Sequence, residues 1–405
     1  MNDKELEKIE KIIESSHINF MIGSGTSKDF LDTLWNIESL LTEYDKEKKE
    51  TPQYKLIEAS IKYWYFEKCM RGNLKLIEND FLLSAEKDKQ FEETCKNYDD
   101  FIKAINIILL KRKTNLVNKQ VNLFTTNMDL FLDITLDKLN IEFNDGFSGK
   151  FESSFSTSNY QKIVFKNSFQ YNVQAELPLF NLFKLHGSLT WKQVKDEKIV
   201  YDSKLIALGE LNKISFDADK DLLPLENEFS KLVDLATAKK EIVLDKHIKF
   251  LEEYKNLIMI NPTKEKFEST TLRLEYYEQL RMYSNALEKE NSVLFVCGFS
   301  FTDEHLKEIT LRAANSNPTL IIYIFCFNED EKNKIQALLK ISKFNNIKYL
   351  CEFSFAKTVN NVFIKIASKL DAKSYQLVIS ETKGDSLEAA SPLIETKQKE
   401  DEPAK

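Results

Sequence analysis

Apolar positions recur at three- and four-residue spacing at the start of the chain, at Leu6, Ile9, Ile12 and Ile13, which predicts an amphipathic helix stopping near Ser15 and Ser16. A short apolar run, INFMI, follows and ends at glycine. From about Lys28 to Leu116 the pattern is helical and charged, with the aromatic stretch KYWYFEKCM and the apolar helix FIKAINIILL, and no active-site chemistry stands out in it. That block is read as a helical insertion over about 28–118. The run VNLFTTN from Val121 predicts a buried strand, and MDLFLDITLDKL has the spacing of the helix after it. Residues from Glu142 to about Tyr171, rich in Phe, Ser and Asn, are assigned to hairpins or loops. FNLFKLHGSLTW carries another strand into His186 and Gly187, and the charged, helical stretch after Lys192 is read as a second, variable insertion over about 192–255.

Three further runs, LIMINP from Leu257, SVLFVCGFS from Ser292 and TLIIYIFCFN from Thr319, have the length and β-branched content of strands covered on both faces. Helical patterns separate them. The alternation predicts an α/β fold, a doubly wound parallel Rossmann-like sheet occupying residues 1–372. After Lys369 the chain turns polar and loses its periodicity, so 373–405 is expected to be a disordered tail.

Composition narrows the functional classes. At 405 residues, with 42% hydrophobic and 30% charged residues, the chain has ample material for a core. A net charge of −7 removes the basic excess that drives attraction to phosphate backbones, so direct nucleic-acid binding is not expected. No apolar run reaches the ~18 residues of a membrane span and the first residues do not read as a leader, so a cytoplasmic location is expected. The five cysteines, Cys69, Cys95, Cys297, Cys326 and Cys351, include no C-x-x-C pair, offer no zinc-ligand spacing and are read as buried free thiols.

Candidate chemistry sits at the strand ends. Gly23, Ser24, Gly25, Thr26 and Ser27 follow the first strand, where glycines let backbone amides approach a pyrophosphate and a following helix would aim its positive end at the anion; an ordinary turn reads equally well. TTNMD, Thr125 to Asp129, lies between a strand and a helix, where Asn127 or Asp129 serves either as a helix cap or as a ligand-orienting group. His186, one residue before Gly187, is either a structural histidine or a base at the strand end where open sheets bind ligands. CGFSFTDEH places Gly298 and Ser300 after a buried strand, with Thr302 or Asp303 as the alternative helix cap, and Asn328 closes the next strand.

In this order the five motifs resemble the sirtuin family, and within it the divergent bacterial branch of sirtuin-like NAD hydrolases used in antiphage defence. The resemblance covers about Ile18 to Leu370 and rests on G-x-G-x-S at Gly23, Gly25 and Ser27, T-x-N-x-D at Thr125, Asn127 and Asp129, His186–Gly187, Gly298 and Ser300, and Asn328. It implies that Gly23, Ser24, Gly25 and Ser27 hold the pyrophosphate, that Asn127, Thr126 and Asp129 address the nicotinamide ribose side, and that His186 occupies the base position. It also places Gly298 and Ser300 at the adenosine phosphate or ribose and Asn328 at the adenosine ribose. Protein deacylases of the family carry a four-cysteine zinc module after the catalytic histidine, and no pair of cysteines here could build one; Thr126 stands where the family usually has Gln. These departures point away from deacylation and leave NAD cleavage, with NAD as substrate rather than a recycled cofactor and no zinc.

The resemblance further implies a homo-oligomer gated by a partner, a HerA-type ATPase or another phage-sensing protein. The helical block between Lys28 and Leu116, with aromatic stretches such as Tyr63, Trp64, Tyr65 and Phe66, is the expected oligomer surface, with local core as the alternative. A zinc-free deacylase or ADP-ribosyltransferase, and a non-enzymatic NAD- or ADP-ribose-binding regulatory subunit, are the other readings.

Overall fold

In a computed structural model the described residues are 3–33, 36–78, 80–114, 116–194, 198–260, 274–339 and 343–371. The expected tail at 373–405 lies outside them.

The chain opens with α1 (Asp3–Ser15), which buries Leu6, Ile9 and Ile13, and passes directly into β1 (His17–Ile22). Next come α2 (Ile37–Glu47), α3 (Pro52–Tyr65) and α4 (Ala85–Lys111). The Thr51 side chain caps α3, whose first residue is proline, and Ser84 caps α4. Then follow β2 (Gln120–Thr125), α5 (Phe131–Lys138), β3 (Phe143–Asn144), β4 (Phe147–Ser148), β5 (Ser154–Phe155), β6 (Phe165–Asn167), β7 (Gln174–Glu176), β8 (Leu179–Lys184), β9 (Trp191–Gln193) and β10 (Ile199–Tyr201). Helices α6 (Ile206–Asn212), α7 (Phe229–Ala238), α8 (Asp245–Tyr254) and α9 (Leu274–Glu288) lead to β11 (Ser292–Cys297). The chain ends with α10 (Glu304–Ser316), β12 (Ile321–Phe325), α11 (Glu329–Leu339), β13 (Ile347–Leu350) and α12 (Phe355–Thr358), the last continued helically to residue 371.

Seven strands form one parallel sheet in the order β13-β12-β11-β1-β2-β8-β3, a Rossmann-like arrangement flanked by helices. Successive side chains feed two cores, which is why these strands read as continuous apolar runs. Phe20, Leu123, Leu182, Phe295 and Tyr323 pack with α1, α4, α5 and the α12 region. Met21, Phe124, Phe183, Val296 and Ile324 pack with α9, α10 and α11. One polar row crosses the sheet: Asn19, Asn122 and Asn181 stand in register, and their amides bond to each other at 2.8 and 3.0 Å, supplying partners inside a buried layer. From β1 the chain builds outward to β2, then restarts at β11 on the other side of β1. The order therefore reverses between β1 and β11.

Two sequence expectations are corrected here. LIMINP forms no strand: of its described residues, only Met259 makes an isolated bridge, antiparallel to Gly187, while Asn261 and Pro262 lie outside the described residues. The 28–118 block is not one insertion, because α4 buries Tyr98, Phe101, Ile102 and Ile105 against the sheet. Its other helices, α2 and α3, instead share a separate core with α6, α7 and α8, so much of the two expected insertions forms a single helical lobe. Finally, the aromatic stretch takes the local-core alternative: Tyr65 and Phe66 are buried, and the partly exposed Tyr63 and Trp64 pack within the chain, Tyr63 on Phe216 and Phe250 and the Trp64 indole donating to the Leu223 carbonyl at 2.8 Å. Among the described residues no helix is long and apolar enough to cross a membrane.

Candidate active site

The loops after β1 and β11 meet backbone to backbone where the strand order reverses, the place at which open α/β sheets bind ligands. A Cβ on Gly23 would come within 2.4 Å of the Gly298 carbonyl oxygen, and one on Gly25 within 2.8 Å of the Gly298 Cα. Gly298 has φ +62°, and a Cβ there would meet the Thr26 amide at 2.6 Å. These glycines are therefore needed for the two loops to touch.

That contact corrects the expected amide cradle. Gly23 N–H donates to Cys297, Gly25 to Gly298, Thr26 to Gly23 and Ser27 to Ser24, at 3.0 to 3.2 Å, so four of the five amides already have acceptors. Behind them is a single 3-10 turn, Ser24–Thr26, and α2 begins only at Ile37. Thr26 locks the turn through hydrogen bonds to the Gly23 carbonyl and the buried Tyr98 hydroxyl. What this loop offers a ligand is the exposed Ser24 hydroxyl and the Ser24 amide.

Beside it the TTNMD segment folds against the same turn. Thr125 Oγ1 donates to Ile22 and accepts from the Asn127 amide at 3.0 Å, turning the chain at the strand end. Asn127 Nδ2 donates to the Gly23 carbonyl at 3.1 Å, so Asn127 is not a helix cap. Its Oδ1 is buried without a hydrogen-bond partner among the described residues, in a side chain that lines a cavity. Asp129 is engaged within the protein: Oδ2 accepts from the Ser27 hydroxyl at 3.0 Å, and Oδ1 accepts from the Phe131 amide at the start of α5. Burial holds its carboxyl above the usual range, with the Lys184 ammonium and Ser27 opposing.

His186 lies at the end of β8, in a backbone fixed from the far side. Ile260 N–H donates to the His186 carbonyl at 2.9 Å, and Gly187, at φ +82°, leaves no room for a Cβ beneath the Ile258 carbonyl. Asp303 Oδ2 lies 3.2 Å from His186 Nε2, while its Oδ1 accepts the amides of His305 and Leu306 at the start of α10. One carboxylate thus caps a helix and holds the imidazole at Nε2. The sequence named Asp303 only as a cap; its pairing with His186 spans two loops that no local pattern connects.

Asn127, Asp129, Thr126, Ser24, Ser27, His186, Gly298, Ser300 and Asp303 all line one cavity of about 130 Å³. Its opposite wall comes from the helical lobe and the preceding loop, where Leu31, Asp32, Glu38, Tyr65 and Cys69 face it, a contribution the sequence did not suggest. Among the described lining residues there are four carboxyl groups and no Lys or Arg. A larger groove of about 640 Å³ shares Ser24, Gly298 and Ser300 and runs past the ends of β11 and β12, lined by Lys28, Phe327, Glu331 and Lys334. Lys28 Nζ lies 3.8 Å over the Phe327 ring. Ser300, exposed, shares a hydrogen bond with Thr302 at 3.1 Å. Between them Phe301 is fully buried at φ +59°, a costly conformation for an aromatic residue.

Asn328 stands apart. Its exposed side chain accepts the Glu331 amide at 2.8 Å, capping α11, and lines neither cavity. The cysteine thiols are pushed up by burial, Cys69 and Cys326 to about 12. No group of three or more metal-binding side chains occurs among the described residues. No protein-family model and no curated protein matches this chain.

Proposed function

We propose that this chain is an NAD hydrolase of the sirtuin-like kind, a doubly wound fold that cleaves the bond between nicotinamide and ribose and releases ADP-ribose. The observation that carries the reading is the cavity holding both the unpartnered Asn127 Oδ1 and the carboxylate-supported His186. A buried carbonyl without a donor calls for a hydroxyl or water from a ligand, and an imidazole held at Nε2 retains Nδ1 as a proton acceptor.

In the reaction the C1′–N bond breaks, its electron pair leaves with the nicotinamide nitrogen, and that ring becomes neutral. An oxocarbenium-like centre develops at C1′, water adds there, and its proton passes to His186. Asn127 Oδ1 orients the ribose hydroxyl or the water, while the carboxyl-rich wall favours the positive charge. The outer groove accommodates the diphosphate and adenosine, with Lys28 and Lys334 facing the phosphates. Such an activity depletes a cell unless restrained, which is consistent with control by assembly or by a HerA-type partner.

The test is nicotinamide release with NAD alone and no acylated peptide. Asn127→Ala and His186→Ala should each lose about 10²- to 10⁴-fold in turnover while keeping their melting temperatures and NAD binding. A destabilised but active His186→Ala protein would reduce the histidine to a structural role. NAD binding without nicotinamide release in any assembly would instead indicate a regulatory subunit.

A further inference from the structure

A buried cation stands behind the cavity wall without reaching it. Lys184 is the last residue of β8, in register with Thr125, and its side chain is 4% exposed. Its Nζ donates to the Asp129 carbonyl oxygen and lies 2.7 Å from Asp133 Oδ2, itself on a 6% exposed side chain in the first turn of α5. A buried ion pair is poor evidence of stability, because apolar residues of similar volume usually pack at least as well. The bond to the Asp129 carbonyl is what gives this one a direction.

We infer that Lys184 is a positioning residue for catalysis: its ammonium fixes the TTNMD segment and so sets the Asn127 amide in the cavity. The segment from Thr126 to Leu130 belongs to neither β2 nor α5. At its start it is held by the Thr125 hydroxyl, and in its middle by Asn127 Nδ2 on Gly23. Near its end the Asp129 carbonyl is held by Lys184, while the Asp129 carboxyl reaches forward to Ser27. Lys184 joins that end to the first turn of α5 and to the strand that delivers His186 two residues later. The residues that present Asn127 and His186 are thereby tied through this buried nitrogen, beside the backbone bonds of Leu185 to the Thr125 carbonyl and of Leu189 to the Met128 carbonyl. This inference rests on the proposed role of Asn127.

Two substitutions that both break the ion pair separate positioning from stability. Lys184→Met severs the bond to the Asp129 carbonyl, whereas Asp133→Asn leaves that bond in place. Both should lower the melting temperature. Nicotinamide release per folded molecule should fall about 10- to 100-fold in kcat for Lys184→Met, with KM for NAD little changed, since a misplaced orienting group is felt in the transition state. Asp133→Asn should keep kcat near that of the parent. Equal kcat values for the two variants, whether both low or both parental, would overturn the inference. Should Lys184→Met not fold, the double variant Lys184→Met/Asp133→Leu, which removes both charges of the ion pair, takes its place with the same expectation. Asn127→Ala in the same assay distinguishes the two failures. If it releases nicotinamide at the parental rate, the role of Asn127 has failed; if it is inactive beside a fully active Lys184→Met, only the positioning role has.

Discussion

The inner cavity and the outer groove share Ser24, Glu38, Gly298, Ser300 and Thr302 yet differ in charge: the inner wall adds Asp32, Asp129 and Asp303 without a lysine or arginine among its described residues, and the outer sets Lys28 and Lys334 beside Asp29 and Glu331. An anion is disfavoured in the first and tolerated in the second. Under the proposed function, that difference favours the cationic base in the inner cavity and the diphosphate in the outer groove. It also assigns different kinetic consequences to the two regions, because interactions made in both ground and transition states change KM, and those made at the reacting centre change kcat.

The largest effect should come from Asp303, where the comparison can be broken outright. In Asp303→Asn the side-chain oxygen still caps α10, so the melting temperature should hold, but the imidazole loses its carboxylate. Turnover is expected to drop about 10²- to 10⁴-fold. Parental kcat in this variant would mean that the Asp303 carboxylate does not support a reacting imidazole. A smaller effect is expected from the outer groove. Lys28→Ala combined with Lys334→Ala should raise KM for NAD roughly tenfold and leave kcat alone, and the dependence of KM on salt should flatten. A fall in kcat without a change in KM would reverse the assignment of the two regions.

The smallest effect concerns stability, at Asp145. Burial pushes its carboxyl up to about 6, with the Phe147 amide and Lys184 opposing and Asp133 adding to the rise. The folded chain therefore holds this proton more tightly than the unfolded chain. The stabilisation is complete below about pH 4 and is lost as pH rises through about 6. Asp145→Asn retains an oxygen for the Phe147 amide, bonded at 3.0 Å, and should raise unfolding free energy at pH 8 by about 1 to 2 kcal/mol while changing little at pH 4. Urea titrations at the two pH values check it, and an equal gain at both would show that Asp145 is not the titrating group.

The sheet was legible because both of its faces are covered. Runs such as SVLFVC and LIIYIF have no solvated side, so they announce themselves without alternation. β13 went unread for the opposite reason: in Ile347–Leu350, at the sheet edge, only Ile347 is fully buried, and four residues give too little pattern. LIMINP misled because an apolar segment that covers Gly187 and lines a cavity has the composition of a strand without its pairing. Strand-end residues could be listed from sequence, and most of them do meet. The partnership of His186 with Asp303, the ammonium of Lys184 and the lobe's share of the wall could not, since each depends on segments brought together only by the sheet order.

The helical lobe also bears on the order in which the chain matures. Its core joins Leu40, Ile57 and Tyr65 to Leu208, Phe229 and Phe250, so the early helices emerge long before the surfaces they will cover. At ~5 to 20 residues per second that delay lasts about 10 to 40 s on a ribosome, and sequence-distant contacts of this kind form slowly in any case. The wall carried by Tyr65 and Cys69 is anchored only after residue 250 has been made, and His186 gains its carboxylate only after residue 303. If the proposed activity holds, a nascent chain is an inert precursor until about three quarters of it has been made, a safeguard written into connectivity rather than into any inhibitor.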